Sequence, residues 1–253
     1  MREPGLGICP LLTGDQVTLQ EPLISNQDKA QLKRAFRKDL TGEVNLRLFT
    51  QKPSPVTVPG RECPYCPETR QLMEELSALS PKLHLETIDF YQQPQVARDC
   101  GVGRIPAIIL GSDGCSRLKF YGIPSGLELG TIVQDIKTIS RGVSQLSTAT
   151  RKKLRRVNQP VHIQVFVTPN CGVSPGQAQL AHAFALDCPH VAADVIEIQE
   201  FPALAQTYGV RSVPLTVINE YTRLTGAVTE EQLLEKVLQA GVSSAQGGND
   251  SKS

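Results

Sequence analysis

No stretch of this 253-residue sequence approaches the ~18 consecutive apolar residues that a membrane-spanning helix needs. Residues 1–10 also lack the apolar core of a signal peptide. The 26 basic and 25 acidic residues nearly cancel, so the overall charge favours neither nucleic acid nor an acidic membrane as a partner. These absences argue against a membrane or secreted protein. We expect a globular cytoplasmic protein of one or two domains.

The cysteines lack the dense, even pattern of a secreted domain held together by disulfides. There are seven, and only Cys63 and Cys66 are close in sequence, in the motif Cys-Pro-Tyr-Cys. No second C-x-x-C and no pair of histidines with finger spacing is present to complete a zinc site. The pattern favours thiol–disulfide chemistry over metal binding, and we expect neither a metal nor an organic cofactor.

An internal repeat organises the chain. The offset of 108 that separates Cys63 from Cys171 recurs at six further pairs: Pro67/Pro175, Pro94/Pro202, Ala97/Ala205, Gly101/Gly209, Val102/Val210 and Pro106/Pro214. Self-similarity at one fixed offset is typical of a duplicated structural unit. The chain is therefore predicted to contain two copies of one fold.

Each copy has the same predicted order of elements. A strand leads to a cysteine at the start of a helix; a second strand, a short helix, an Xaa-Pro strand, a hairpin and a closing helix follow. This order predicts an α/β fold of two tandem thioredoxin-like units, each a mixed central sheet flanked by helices. The first unit is placed at 23–142 and the second at 143–240, with flexible tails at 1–22 and 241–253.

A helix is predicted before each copy, over 25–40 and 144–157. The second helix carries a basic run, 151–156, without neighbouring aromatic residues. Because such a run is usually a solvated helical face, we interpret it so and expect no nucleic-acid partner.

Cys63 and Cys66 are the predicted catalytic residues. Thiol–disulfide exchange requires a thiolate, and the N–H groups at a helix N-terminus stabilise that anion. Cys63 precedes the predicted helix and is expected to be the nucleophile; Cys66, one turn further on, resolves the mixed disulfide. Pro64 and Tyr65 complete the motif, and Pro64 stiffens the turn. A pair of core cysteines, or a fragment of a metal site, is the alternative.

Ile105 and Pro106 are predicted to support that site. Pro106 begins an apolar strand at the spacing expected for the cis-proline loop of a thioredoxin-type fold. In that fold the loop lies against the nucleophilic sulfur and presents backbone groups to a substrate peptide. We therefore expect Ile105 and Pro106 to form such a platform beside Cys63.

The second copy has a degenerate motif, Cys171-Gly172-Val173-Ser174, followed by its own proline, Pro214. Ser174 cannot form a disulfide, so this copy cannot complete a dithiol cycle alone. Cys171 is then vestigial, a monothiol that captures substrate or glutathione, or the partner of another cysteine. The other cysteines, Cys9, Cys100, Cys115 and Cys188, are expected to be inert.

Over residues 23–241 the chain resembles the two-unit protein disulfide oxidoreductases of thermophilic archaea and bacteria, also called glutaredoxin-like proteins. The segments that carry the resemblance are Cys63-Pro64-Tyr65-Cys66, Tyr121-Gly122-Ile123-Pro124-Ser125-Gly126, Val165-Phe166-Val167-Thr168-Pro169-Asn170-Cys171 and Val210-Arg211-Ser212-Val213-Pro214. The resemblance implies activity on disulfide-containing client proteins, with an electron donor of the thioredoxin reductase type. Members of that family usually carry C-x-x-C in both units, so the second motif departs from the pattern, as do the extra residues 51–60.

The sequence thus predicts a thiol–disulfide oxidoreductase that uses a Cys63/Cys66 dithiol–disulfide cycle. Two alternatives remain at this point. The chain could be a redox-regulated module that binds a client or a reductase, or a monothiol, glutaredoxin-like carrier that uses Cys171.

Overall fold

A computed structural model describes residues 21–52, 58–112 and 115–242. Most of both predicted tails, with Cys9, and residues 53–57 of the extra segment lie outside these ranges. The described helices are α1 (Asn26–Asp39), α2 (Cys66–Ser77), α3 (Pro94–Asp99), α4 (Glu128–Arg141), α5 (Thr148–Leu154), α6 (Ser174–Asp187), α7 (Pro202–Thr207) and α8 (Glu230–Gly241). The described strands are β1 (Val44–Thr50), β2 (Leu83–Asp89), β3 (Ala107–Gly111), β4 (Leu118–Tyr121), β5 (Val161–Val167), β6 (Val191–Glu197), β7 (Leu215–Ile218) and β8 (Thr222–Thr225). None of these helices is long and apolar enough to span a membrane.

The strands form one mixed sheet in the order β2-β1-β3-β4-β6-β5-β7-β8. In the first half, β1 pairs in parallel with β2 and antiparallel with β3, and β3 and β4 form a hairpin. The second half, β5 to β8, repeats this arrangement. The predicted α/β fold with a mixed sheet flanked by helices is confirmed.

The two halves are joined through their sheets, which the sequence did not predict. Strand β4 pairs in parallel with β6, from Leu118 opposite Ala193 to Tyr121 opposite Ile196. All four residues of β4 are buried, whereas its counterpart β8 is an edge strand whose residues alternate between half-buried and exposed. Pairing satisfies the backbone groups that an open edge strand would present to solvent.

Two hydrophobic cores lie on opposite faces of this sheet. The larger core is covered by α1, α2, α4, α5, α6 and α8, and the smaller by α3 and α7. Representative side chains of the larger core are Leu48, Met73, Ile136 and Phe184, and of the smaller core Phe49, Ala97, Phe166 and Tyr208. Helices α2 and α6, which begin next to Cys63 and Cys171, therefore pack on the same face.

Local sequence signals explain where most helices start and end. Ser25 caps α1, and Thr229 with Gln232 forms a capping box at the start of α8. Helix α5 is shorter than the predicted 144–157. The Ser144 hydroxyl bonds the Asp187 carboxylate and accepts from the Leu146 N–H, and these local contacts compete with a helix there. The helix begins only after Ser147, its N-cap.

Gly126 allows the two halves to approach closely. Its φ is +58°, and a Cβ there would lie 2.8 Å from the Pro169 carbonyl oxygen, in the loop before Cys171. The neighbouring Leu127 N–H donates to that same oxygen at 3.0 Å. Only glycine satisfies both the left-handed backbone and the lack of space.

We predict that Gly126→Ala destabilises the protein more than Gly142→Ala. Both glycines have positive φ, but a Cβ at Gly142 would meet no atom within 4 Å. Gly142→Ala should cost about 1 kcal/mol for backbone strain alone. Gly126→Ala should cost roughly 1–2 kcal/mol more, because the Pro169 carbonyl must move. Denaturant unfolding of both variants measures this difference, and equal losses would contradict the close approach.

Candidate active site

Cys63 and Cys66 lie in a tight turn that opens α2. The Cys66 N–H donates to the Cys63 carbonyl at 3.2 Å, and the two sulfurs are bonded, with the Cα atoms 5.3 Å apart. Thr69 holds the turn from inside the helix, since its hydroxyl and its N–H both donate to the Tyr65 carbonyl. The strand–turn–helix sequence thus brings the two predicted site cysteines together.

The two sulfurs differ in access. Cys63 retains 7% of its surface and Cys66 only 1%, whereas Tyr65 between them is 47% exposed. Pro64 is exposed as well. An incoming sulfur would therefore reach Cys63 before Cys66, which agrees with the roles expected from their positions.

The predicted proline loop lies at the same end of the sheet as Cys63. The Ile105–Pro106 bond is cis, the geometry expected from the sequence. Strand β3 starts directly after it, where Ala107 pairs with Phe49 near the end of β1. Since β1 leads into the loop that carries Cys63, both loops emerge from one edge. The Pro106 carbonyl accepts from the Gly122 N–H at 3.0 Å, which anchors the loop.

Cys171 lies in a turn of the same design at the start of α6. The Ser174 N–H donates to the Cys171 carbonyl at 3.2 Å, as Cys66 does to Cys63. The Val213–Pro214 bond is also cis, and the Cys171 thiol donates to the Val213 carbonyl at 3.6 Å. The second half therefore places its proline loop against its cysteine.

The surroundings of Cys171 lower the pKa of its thiol. The main cause is the nearby hydroxyl of Ser174, followed by the N–H groups of Val173 and Ser174; burial and the Glu128 carboxylate act in the opposite direction. The buried Ser174 hydroxyl has no well-aligned hydrogen-bond partner among the described residues. We therefore attribute its lowering of the Cys171 pKa to the dipole of the hydroxyl group. Cys171 is a free thiol that is more acidic than an ordinary cysteine.

Three carboxyl groups are buried or half-buried between the loop that carries Cys63 and the loop that carries Cys171. They belong to Glu128, Glu197 and Glu200. Loss of hydration raises the pKa of Glu128 and of Glu200 to about 7, and raises that of Glu197. Glu128 begins α4 and keeps one buried oxygen without a partner in the described structure. Glu200 accepts from the Ile123 N–H at 2.6 Å and lies near Glu68 of the first turn of α2.

This acidic cluster was not predicted, although the repeat contained a signal for it. Glu197 occupies the position of Asp89 at the repeat offset of 108. Asp89 accepts from the N–H groups of Tyr91 and Gln92, as Glu197 does from those of Gln199 and Glu200. The burial of Glu128 depends on contact between the halves, which no local pattern reveals.

The two cysteine loops share one edge and one face of the sheet, but they are well separated. Between β1 and β5 lie the strands β3, β4 and β6. Four strand spacings of ~4.8 Å place the loops roughly 19 Å apart. Cys171 therefore cannot pair directly with Cys63 or Cys66 in this arrangement.

Comparison with known proteins identifies the fold family. The family model described as "Thioredoxin domain" matches residues 161–239. Thioredoxin from Methanocaldococcus jannaschii is 33% identical over 78 residues, which cover 30% of this chain and 92% of that protein. The chain belongs to the thioredoxin family.

Two solved structures share the two-half arrangement of this thioredoxin-family chain. A protein disulfide oxidoreductase from Aeropyrum pernix is 27% identical, with a TM-score of 0.78 over 88% of this chain and 97% of that one. The alkylhydroperoxide reductase AhpF of Enterococcus faecalis is 25% identical, with a TM-score of 0.75 over 85% and 99%. The predicted resemblance to two-unit oxidoreductases is confirmed.

A longer relative shares only part of its length with this chain. The NADH dehydrogenase of Bacillus subtilis is 20% identical over 166 residues. Those residues are 66% of this chain but only 30% of the relative, so the chain spans less than a third of that protein.

The thioredoxin family model matches the second half of the chain, in which Ser174 replaces the second cysteine of the C-x-x-C motif. The intact motif, at Cys63 and Cys66, lies outside the matched residues 161–239. The family is therefore recognised here from the residues that build the fold rather than from the redox motif.

One pairing among the other cysteines was not predicted. Cys100 and Cys115, expected to be inert, are bonded to each other. Cys188 is buried and free. The pairing escaped the sequence analysis because Cys115 lies in a turn that has no counterpart of equal length in the second half of the chain.

We predict that Glu128→Gln makes Cys171 more reactive. The Glu128 carboxylate raises the pKa of Cys171, so its removal should lower that pKa and increase the thiolate fraction near pH 7. Peptide-resolved alkylation by iodoacetamide should speed up at Cys171 by about two- to fivefold.

The control is Glu200→Gln, because Glu200 is similarly protonated but is not among the charges that act on Cys171. Equal acceleration in both variants would contradict a direct effect of Glu128.

We also predict that Glu128→Gln flattens the pH dependence of stability. Burial raises the pKa of Glu128 from 4.5 to about 7, so the folded state retains a proton that the unfolded state releases. The free energy of unfolding should therefore fall as the pH rises from about 4.5 to 7, by on the order of 2 kcal/mol from this group. Urea unfolding at several pH values measures the slope. The exposed Glu74→Gln variant should keep the wild-type slope, and an unchanged slope in Glu128→Gln would refute the assignment.

Proposed function

We propose that the chain is a thiol–disulfide oxidoreductase that acts on protein disulfides through Cys63 and Cys66. The observation that carries this proposal is a bonded cysteine pair at the opening of α2, in which Cys63 keeps 7% of its surface exposed and Cys66 only 1%. Surface access suits a nucleophile, and burial suits a resolving sulfur.

In the reducing direction, the Cys63 thiolate attacks one sulfur of a client disulfide. The client S–S bond breaks, a Cys63–client mixed disulfide forms, and the other client sulfur leaves as a thiolate. Cys66 loses its proton and attacks the Cys63 sulfur, which releases the second client thiolate and closes the Cys63–Cys66 disulfide. Two electrons pass from this chain to the client, and an electron donor of the thioredoxin reductase type restores the dithiol.

The helix start supplies the electrostatics for this cycle. The positive end of the α2 dipole stabilises the thiolate on Cys63 and so favours both its attack and its departure. The matching turn at Cys171, with the same 3.2 Å backbone bond, supports this step because its N–H groups lower the pKa of that thiol.

The cis-proline loop supplies a surface for the client. We propose that the backbone around Ile105 and Pro106 binds an extended client segment beside Cys63. The contact between Val213 and the Cys171 sulfur supports this role by analogy between the halves. The exposed ring of Tyr65 would contact the client from the other side of the nucleophile.

Several features of the setting are part of the same proposal. We divide the chain into units at 23–142 and 143–240 and place it in the cytoplasm, where a reductase can keep the dithiol reduced. Disulfide-containing proteins are the proposed clients. The names of the Aeropyrum pernix and Enterococcus faecalis structures support redox partners of this kind.

A second candidate activity rests on Cys171. Its lowered pKa and its contact with Val213 favour a monothiol that forms mixed disulfides. Since Ser174 cannot resolve them, a second external thiol would have to release the product.

We predict that insulin reduction in the presence of dithiothreitol distinguishes these activities. Cys63→Ser should fall to the rate of dithiothreitol alone, because the nucleophile is lost. Cys66→Ser should accumulate a mixed disulfide with the client, which non-reducing gels and mass spectrometry detect. Cys171→Ser is the matched control and should retain wild-type turnover.

Absence of turnover by the wild-type protein would defeat the proposal. If Cys171→Ser lost the activity and Cys63→Ser kept it, the activity would have to be assigned to Cys171 in the second half.

A further inference from the structure

A second disulfide lies at the end of the strands opposite to the proposed active site. Cys100 caps the C-terminal end of α3 and is 5% exposed, and Cys115 is exposed in the turn after β3. Their sulfurs are bonded, with the Cα atoms 4.8 Å apart. Strand β3 leads away from Pro106, and its five residues at ~3.3 Å each put this turn roughly 15 Å or more from the cis-proline loop. Cys63 and Cys66 therefore cannot exchange with this pair within one molecule.

The second half shows that the fold does not need a covalent bond at this junction. Tyr208 caps α7 at the position of Cys100. Its hydroxyl donates to the Glu220 carboxylate, and its carbonyl accepts from the Arg223 guanidinium. The same contact between short helix and hairpin is thus made there by hydrogen bonds. In the first half six residues rather than three connect the two hairpin strands, and Cys115, one of the six, is bonded to Cys100 instead.

A cation accompanies the cysteine pair. The Arg47 Nη1 atom lies 3.8 Å from the Cys100 sulfur and 3.7 Å from the Cys115 sulfur. Its Nε bonds Glu86 at 2.7 Å, which fixes the guanidinium beside the disulfide. The residue at this strand position in the second half, where no disulfide is present, is Gln164. A neighbouring cation stabilises the thiolate that forms when a disulfide opens.

We propose that Cys100 and Cys115 form a second redox site, which low-molecular-weight thiols of the glutathione type reduce and re-form independently of Cys63 and Cys66. The exposed Cys115 is the sulfur open to attack, and Cys100 is the leaving group. Opening this bond removes the covalent link between Cys115 and the C-terminal end of α3.

The exchange balances with two external thiols. The first, as a thiolate, attacks the Cys115 sulfur; the Cys100–Cys115 bond breaks, and Cys100 leaves as a thiolate beside Arg47. The second thiolate attacks the external sulfur of the mixed disulfide and releases Cys115 as a thiolate and the external pair as a disulfide. Both cysteines take protons from solvent. The external disulfide drives the reverse reaction.

The first test maps the bond directly. Trypsin would separate residues 99–104 from 105–117, so the intact disulfide appears as a linked pair of peptides in a non-reducing digest. We expect this species in air-oxidised protein, and its loss in millimolar reduced glutathione while the circular dichroism spectrum stays native. The Cys63→Ser/Cys66→Ser double variant should behave in the same way.

Three outcomes would overturn the proposal. The linked peptides could be absent from oxidised protein, or the link could persist until the protein unfolds. Reduction by added, reduced wild-type protein but not by glutathione would overturn the assignment to small thiols.

The second test addresses Arg47 and separates this site from the proposed activity. Arg47→Gln, which copies the second half, should slow reduction by glutathione by about two- to fivefold, and Arg47→Lys should recover most of the rate. If the wild-type protein, Arg47→Gln and Arg47→Lys were all reduced by glutathione at the same rate, Arg47 would have no role in the site. Cys115→Ser should abolish the linked peptides and leave insulin reduction at the wild-type rate, so the two proposals can fail separately.

Discussion

The whole arrangement depends on the junction between a parallel strand and the helix that follows it. Strands β1 and β5 end at the same edge of the sheet, and each leads to a cysteine at a helix start. There the first-turn N–H groups have no partners within the helix and can stabilise a sulfur anion. The cis-proline strand returns antiparallel to the same end of the sheet, so sheet pairing brings its loop to the end that carries the cysteine. In the second half this loop contacts the cysteine directly, through the Val213 carbonyl. The pairing therefore places the redox groups together.

Duplication kept this geometry while the chemistry changed. The turn at Cys171 has the same backbone hydrogen bond and the same cis-proline neighbour as the turn at Cys63. A hydroxyl at Ser174 replaces the second sulfur and lowers the pKa of the remaining thiol. Loss of the second cysteine thus leaves a free thiol with a lowered pKa at the matching position of the second half.

Most of the fold could be predicted from the sequence, because it is encoded in local signals. Prolines at helix starts, glycines such as Gly101 and Gly209 at left-handed helix ends, and apolar strands recur in both copies. Strand β4 is more apolar than its counterpart β8, which agrees with its burial. Its pairing with β6 was still not predicted, because the two strands are far apart in sequence and meet only when the halves associate. The same holds for the site. The Cys63/Cys66 turn was predicted because its residues are neighbours in sequence. The burial of Glu128 and the Cys100–Cys115 bond were not predicted, because both depend on residues that come close only after folding.

Joining the two sheets also changes the electrostatics at the edge that carries both cysteine loops. Carboxyl groups that would be solvated on a single unit are enclosed where α4 of the first half meets the loop before Cys171. Burial there favours the neutral acid, so Glu128 is near its titration point at neutral pH and acts on Cys171 only when ionised. The charge that a neighbouring half places beside a thiol is therefore a property of the tandem arrangement. An isolated second half would contain Cys171 and Ser174 but not Glu128, and its thiol would be free of that repulsion.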